Sequence, residues 1–183
     1  MESKSIALLN NATKMLAEVQ SIGQLPSALA DGVVTNRRKS MSLRTSEIEC
    51  AVVRYFNPRV NLIVPNVSWG FNLHECDLLI ITRHGYAYEV EIKISKSDLY
   101  RDKYKAHKHR SERIKRLYFA IPETLLPYIS EIPERAGIIV VNEHRQCRRF
   151  REAQAQTKYK ISEHEKFMLA RLGTLRFWSL KGI

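Results

Sequence analysis

One stretch limits the folds open to this chain more than any other: an apolar run, a turn and an alternating run in direct succession. Cys76-Asp-Leu-Leu-Ile-Ile-Thr82 reads as a buried strand, and Arg83-His-Gly85 carries the turn signal. From Tyr86 to Ile94 the chain alternates without a break. Tyr86, Tyr88, Val90, Ile92 and Ile94 fall on one face, and Ala87, Glu89, Glu91 and Lys93 fall on the other. A β-hairpin is the expected result, and it returns Glu91 and Lys93 to the level of Asp77. An unpaired carboxylate is expensive inside an apolar strand, so Asp77 requires a reason to be there. Two carboxylates and a lysine gathered at a strand end suit a hard divalent cation and an activated water.

The elements around the hairpin point to an α/β sandwich on a mixed sheet. Ile48, Ala51, Val52 and Tyr55 form a helical stripe between a cap at Thr45 or Ser46 and the stop at Asn57-Pro58. Leu62 to Trp69 reads as a first strand, where Pro65 suggests an edge. After the hairpin, Ser97 or Asp98 caps a basic helical region that reaches about residue 115, with a break near His109. Arg116 to Ile121 is a short strand, Glu123 to Ile129 a helix, and Gly137-Ile-Ile-Val-Val141 a strand covered on both faces. The expected division is an N-terminal helix and basic linker over 1–44, a core over 45–142, and a basic segment with a C-terminal helix packed on the core over 143–183. Ser162-Glu-His-Glu165 starts that last helix, and Phe167, Met168, Leu169 and Leu172 supply its apolar residues.

Composition narrows the functional classes. The 183 residues carry a net charge of +11, which favours a polyanionic partner. Cys50, Cys76 and Cys147 are far apart with no C-x-x-C pair, so neither a disulfide framework nor a structural zinc site is expected, and a four-cysteine iron–sulfur cluster is excluded. No segment is apolar enough to span a membrane and no leader pattern is evident, so a soluble, cytoplasmic protein is expected.

The candidate site is built around Asp77, Glu91 and Lys93. Asp77 and Glu91 are the expected metal ligands, for Mg²⁺ or Mn²⁺. The carbonyl of Ile92 lies between the two motif side chains and is a further candidate. Lys93 would orient or help deprotonate a water and offset charge on phosphorus. Glu47 and Glu49 on the first core helix are candidate additional acids. They lie about 200° apart around a helix, so only one can enter the site, and Glu49 is the better placed. Glu89 sits about 7 Å along the strand from Glu91 and is either another ligand or a flank of the site. His74 and Glu75 precede Asp77 and are either neighbours of the site or plain turn polarity. Lys96, Arg101, Lys103, Lys105, Lys108 and Arg110, interleaved with Tyr100 and Tyr104, form a cationic path beside it.

The Asp77…Glu91-Ile-Lys93 set resembles the core of the PD-(D/E)xK nuclease superfamily. More closely, Cys76-Asp-Leu-Leu-Ile80, Tyr88-Glu-Val-Glu-Ile-Lys-Ile-Ser-Lys-Ser-Asp-Leu-Tyr-Arg-Asp-Lys103, Arg116-Leu-Tyr-Phe-Ala-Ile-Pro122 and Arg135-Ala-Gly-Ile-Ile-Val-Val141 resemble the MmcB-type DNA-repair family. Stand-alone proteins similar to that family occur in phages and prophages. The resemblance covers about residues 74–142. It implies a restriction-endonuclease-like αβββαβ core and a metal-dependent nuclease acting on DNA in repair, recombination or phage metabolism, with Asp77, Glu91 and Lys93 as active-site positions. DNA is the expected partner, with RNA and a homodimeric assembly left open. The alternative from a different class is a nucleic-acid-binding protein that keeps the fold and cleaves little.

Overall fold

Opposed apolar faces on a single sheet decide how this protein stacks its layers. In the computed structural model the chain divides into two units, Met1–Arg38 and Lys39–Ile183. The residues described are 43–67, 74–102 and 109–182, all in the second unit. The N-terminal helix and most of the basic linker expected over residues 1–44, Trp69, and Lys103, Lys105 and Lys108 lie outside them.

Six strands pair in sequence order: β1 (Leu62–Val67), β2 (Cys76–Ile81), β3 (Ala87–Ile92), β4 (Ile114–Pro122), β5 (Gly137–Val141) and β6 (Cys147–Arg151). The first three are antiparallel, β3, β4 and β5 are parallel, and β6 returns antiparallel to β5. The mixed sheet flanked by helices is therefore the α/β architecture that the order of elements predicts. β3 lies in the middle of the sheet rather than at an edge. Its charged face is also a buried face.

The β2–β3 hairpin follows from its turn residues. Gly85 takes φ +83°, Thr82 N–H donates to the Tyr86 carbonyl at 2.9 Å, and the Thr82 hydroxyl accepts from Tyr86 N–H at 3.1 Å. Leu78 then pairs with Val90 and Leu79 with Glu89, which sets Asp77 level with Glu91.

Helix α1 (Thr45–Tyr55) lays Ile48, Ala51 and Val52 on one face of the sheet, against Leu78, Ile80, Val90, Ile92, Tyr118 and Ala120. Its N-cap is Arg44 rather than Thr45 or Ser46, because the Glu47 carboxylate reaches back to Arg44 N–H at 2.9 Å. The opposite face carries α2 (Lys96–Asp102), a 3₁₀-helix (Glu123–Glu131) and α3 (Glu163–Leu180). Ser95, one residue before α2, supplies the cap expected of Ser97 or Asp98, accepting Asp98 N–H at 3.2 Å. Leu99 packs with Leu117, Phe119, Ile121 and Ile138 in this layer. Each such side chain contributes about 1.5–3 kcal/mol on burial. The 3₁₀ geometry replaces the expected α-helix where Pro127 removes a backbone donor.

In α3, Ser162 and Glu165 form a reciprocal cap, and Leu169 is buried with Leu79, Ile81 and Ile161. Phe167, by contrast, is exposed to solvent. β6 extends the sheet past residue 142 with a strand rich in arginine, where exposed Arg148 and Arg149 blunt the open edge. No helix among the described residues is long and apolar enough to cross a membrane.

Candidate active site

The hairpin and α2 meet at the carboxyl end of β3, and five buried ionisable side chains converge there. Glu89 is 0% exposed, Glu91 1%, Lys93 8%, Asp102 8% and His109 2%. Charges so fully removed from water persist only when paired. Each of these is.

Asp77, the first polar residue of β2, accepts the Ile92 N–H at 2.7 Å through Oδ2. That bond binds the two motif strands at the position of the motif itself. The Lys93 ammonium lies between Glu91 Oε2 at 2.8 Å and Asp102 Oδ1 at 2.9 Å. Burial alone would lower the pKa of Lys93, but Glu91 and Asp102 outweigh it and hold it above the ordinary lysine value. Lys93 is a fixed cation. Asp102 turns its other oxygen to His109 Nε2 at 2.6 Å, and His109 Nδ1 lies 2.6 Å from Glu89 Oε1. His74 Nε2 approaches the same Glu89 oxygen at 2.8 Å. The result is one continuous chain of charge: Glu91, Lys93, Asp102, His109, Glu89, His74.

The chain opens into a cleft of about 690 Å³ lined by Glu75, Asp77, Glu91, Ile92, Lys93 and Asp102, with Asp98 and Arg101 on its outer wall. Asp77, Glu91, Ile92 and Lys93 therefore share one cavity. Glu89 does not line it; it is held behind by His74 and His109. His74 is thus joined to the network, whereas Glu75 is exposed at the cleft. Of the two helix acids, Glu49 is half-buried and pushed up in pKa by burial and then by the charge of Asp77. Glu47 points elsewhere, to Arg145 at 2.7 Å and to Arg44. Lys96 is exposed over the rings of Tyr100 and Tyr128, Arg101 pairs with Asp98, and Arg110 is exposed beside a second cavity. Much of the basic charge further along is structural. Arg151 donates to the carbonyls of Ala136 and Pro133, and Arg116 and Arg149 both bind Glu152.

Asp102 and His109 are the two members that sequence reasoning missed. Asp102 carried a signal: it follows Leu99 by three residues, which places it on the buried face of α2. His109, in the run His107-Lys-His-Arg110, is indistinguishable from solvated charge until β4 brings it inward.

His109 is the positive link between two acids. Burial favours its neutral form, yet hydrogen bonds to Asp102 and Glu89 raise its pKa to about 9. A group whose folded pKa lies above its unfolded value contributes stability that is complete below about pH 6.5 and lost as pH rises through about 9. In EDTA, wild-type stability should accordingly fall between those limits. His109→Ala should be less stable by about 3 kcal/mol at pH 6.5, because two buried acids lose their partner. It should also lose that pH slope. Urea denaturation across the range checks this; an unchanged slope in the variant would remove His109 as its source.

Oxygen donors alone face the cleft at Asp77 and Glu91, a donor set suited to Mg²⁺ or Mn²⁺. Glu91, Asp102 and His109 also bring donor atoms within 4.8 Å of one another, as do His74, Glu89 and His109.

Neither a protein-family model nor a curated protein matches this chain. Among solved structures it is similar to the SPO1766 protein of unknown function from Silicibacter pomeroyi. The two are 16% identical with a TM-score of 0.55, over 76% of this chain and 90% of that one. At that identity the likeness is one of fold, an α/β sandwich with helices on both faces of a mixed sheet.

Proposed function

We propose that this protein is a divalent-metal-dependent nuclease that hydrolyses phosphodiester bonds of DNA, acting in the cytoplasm in repair, recombination or phage DNA metabolism. The observation that carries the reading is the joint placement of Asp77, Glu91 and Lys93 in one cleft, each held by a named partner. Asp77 and Glu91 would hold the cation, with the Ile92 carbonyl as an additional oxygen donor. A hard cation bound there would supply Lewis-acid activation of water and of the phosphoryl oxygen.

The chain's own residues do the rest. Lys93 is kept protonated by Glu91 and Asp102, so it does not accept the water's proton; its role is to offset charge that builds on the phosphoryl group. Asp102 fixes the ammonium from behind, and His109 fixes Asp102. Glu49, within electrostatic reach of Asp77, would add a further acid. Arg101 and Lys96, on the exposed side of α2, would meet the phosphate backbone.

Labelled single-stranded, duplex and branched DNA, each incubated with Mg²⁺, Mn²⁺ or EDTA, provides the test, with matched RNA alongside. Cleavage of DNA with metal and none in EDTA is the expected result. Binding without cleavage under every condition would instead support a nucleic-acid-binding protein that retains the fold.

A further inference from the structure

Behind the cleft, His74, Glu89 and His109 meet at one carboxylate, and the nuclease reading gives two of the three no task. Glu89 is fully buried on the central strand β3. Its Oε1 receives both imidazoles, while its Oε2 is buried with no hydrogen-bond partner among the described residues. An ionised oxygen left in that state costs about 1–3 kcal/mol or more. A carboxylate so placed is suited to a cation.

The second imidazole nitrogen of His109 supports the same conclusion. Nε2 lies 2.6 Å from Asp102 Oδ2. When the ring is neutral and that nitrogen keeps its hydrogen for Asp102, Nδ1 turns a lone pair toward Glu89. A lone pair and a carboxylate oxygen 2.6 Å apart must share a positive centre, either a proton or a metal ion. A carboxylate behind the distal nitrogen is the arrangement that orients metal-ligating histidines and raises their basicity.

We propose that His74, Glu89 and His109 form a site for a divalent transition-metal ion of the zinc class, separate from the oxygen-donor pair Asp77 and Glu91. The donor atoms of the three lie within 4.8 Å of one another. Two imidazoles and a carboxylate match the preferences of zinc, whereas magnesium favours oxygen alone. A tetrahedral ion with bonds of about 2.0 Å holds its donors about 3.3 Å apart, so the contacts of 2.6 and 2.8 Å must open by roughly 0.7 and 0.5 Å. His74 has room for this at the rim, where its side chain is 10% exposed. The ion would tie together the approach to β2, the middle of β3 and the segment entering β4.

The test uses tag-free full-length protein stripped with EDTA, titrated with Zn²⁺ against a chromophoric chelator and with Co²⁺ by visible absorption. The wild type should take up a single tight equivalent and give the strong visible bands of four-coordinate cobalt. His74→Ala should weaken Zn²⁺ binding by about tenfold or more. Glu89→Gln, with the fold checked by circular dichroism, should do the same. Asp77→Asn/Glu91→Gln should bind Zn²⁺ as the wild type does. No Zn²⁺ uptake by the wild type, or uptake that His74→Ala leaves unchanged, would overturn the proposal. Uptake lost only in the Asp77→Asn/Glu91→Gln protein would overturn it too, and would assign the ion to the cleft. Absence of nuclease activity would leave these expectations unaltered.

Discussion

Lys93→Ala is expected to reduce DNA cleavage by on the order of a hundredfold to a thousandfold while leaving DNA affinity nearly intact. Lys93 is 8% exposed and held at 2.8 Å from Glu91 and 2.9 Å from Asp102, so its charge is fixed where the reacting phosphate would lie. On the nuclease reading, a fixed cation of this kind acts on the charge that develops during reaction and contributes little to ground-state binding, which the exposed cations would supply together. The substitution leaves Glu91 and Asp102 buried without their shared cation, at a cost of about 3 kcal/mol. Thermal melting must therefore accompany the kinetics, and Lys93→Arg, which keeps the charge, separates the two effects. The arginine variant should fold like the wild type and recover part of the activity. A folded Lys93→Ala protein cleaving at the wild-type rate would remove Lys93 from the site.

The second large effect concerns Asp77. Asp77→Asn should bind DNA at least as well as wild type in EDTA, yet lose Mn²⁺ uptake and cleavage. Without a cation, the carboxylates of Asp77 and Glu91 repel a phosphate brought into the same cleft. Neutralising one relieves that repulsion. With metal present, the same change removes a charged ligand. The asparagine carbonyl can still accept the Ile92 N–H that Asp77 accepts at 2.7 Å, so the hairpin survives and the effect is one of charge. Glu49 offers an internal readout. Its pKa is raised by burial and then by Asp77, so losing the Asp77 charge should move it down. DNA titrations in EDTA and calorimetry with Mn²⁺ check both halves. Weaker metal-free binding by the variant would contradict the electrostatic argument.

Local signals carried most of the architecture. The turn at Gly85 and the alternation after it are encoded within a few residues, and so are the hairpin register and the level match of Asp77 with Glu91. The stripe of α1 is equally local. What resisted reading was long-range. The pairing of β3 with β4 is parallel and spans a crossover, and it turns the charged face of β3 inward without leaving any mark on β3 itself. Glu89 thus reads in sequence as either another ligand or a flank of the site, and the sequence does not show that it is wholly buried between two histidines. β6 escaped because Cys147-Arg-Arg-Phe-Arg151 lacks an apolar face; its pairing is set by the turn before it, where Asn142 Oδ1 accepts the N–H groups of His144 and Gln146. In the run from Lys96 to Arg110 the abundance of lysine and arginine hid Asp102, the acid on the buried face of α2.

The most direct measurement compares DNA cleavage in Mn²⁺ by the wild type and by Asp77→Asn/Glu91→Gln, purified in parallel and assayed on the same labelled substrates. Both substitutions preserve size and acceptor groups, and both proteins should bind DNA. The nuclease reading predicts Mn²⁺-dependent cleavage by the wild type and none above background by the double variant. Equal cleavage by the two would place the activity outside the Asp77–Glu91 cleft and contradict the assignment.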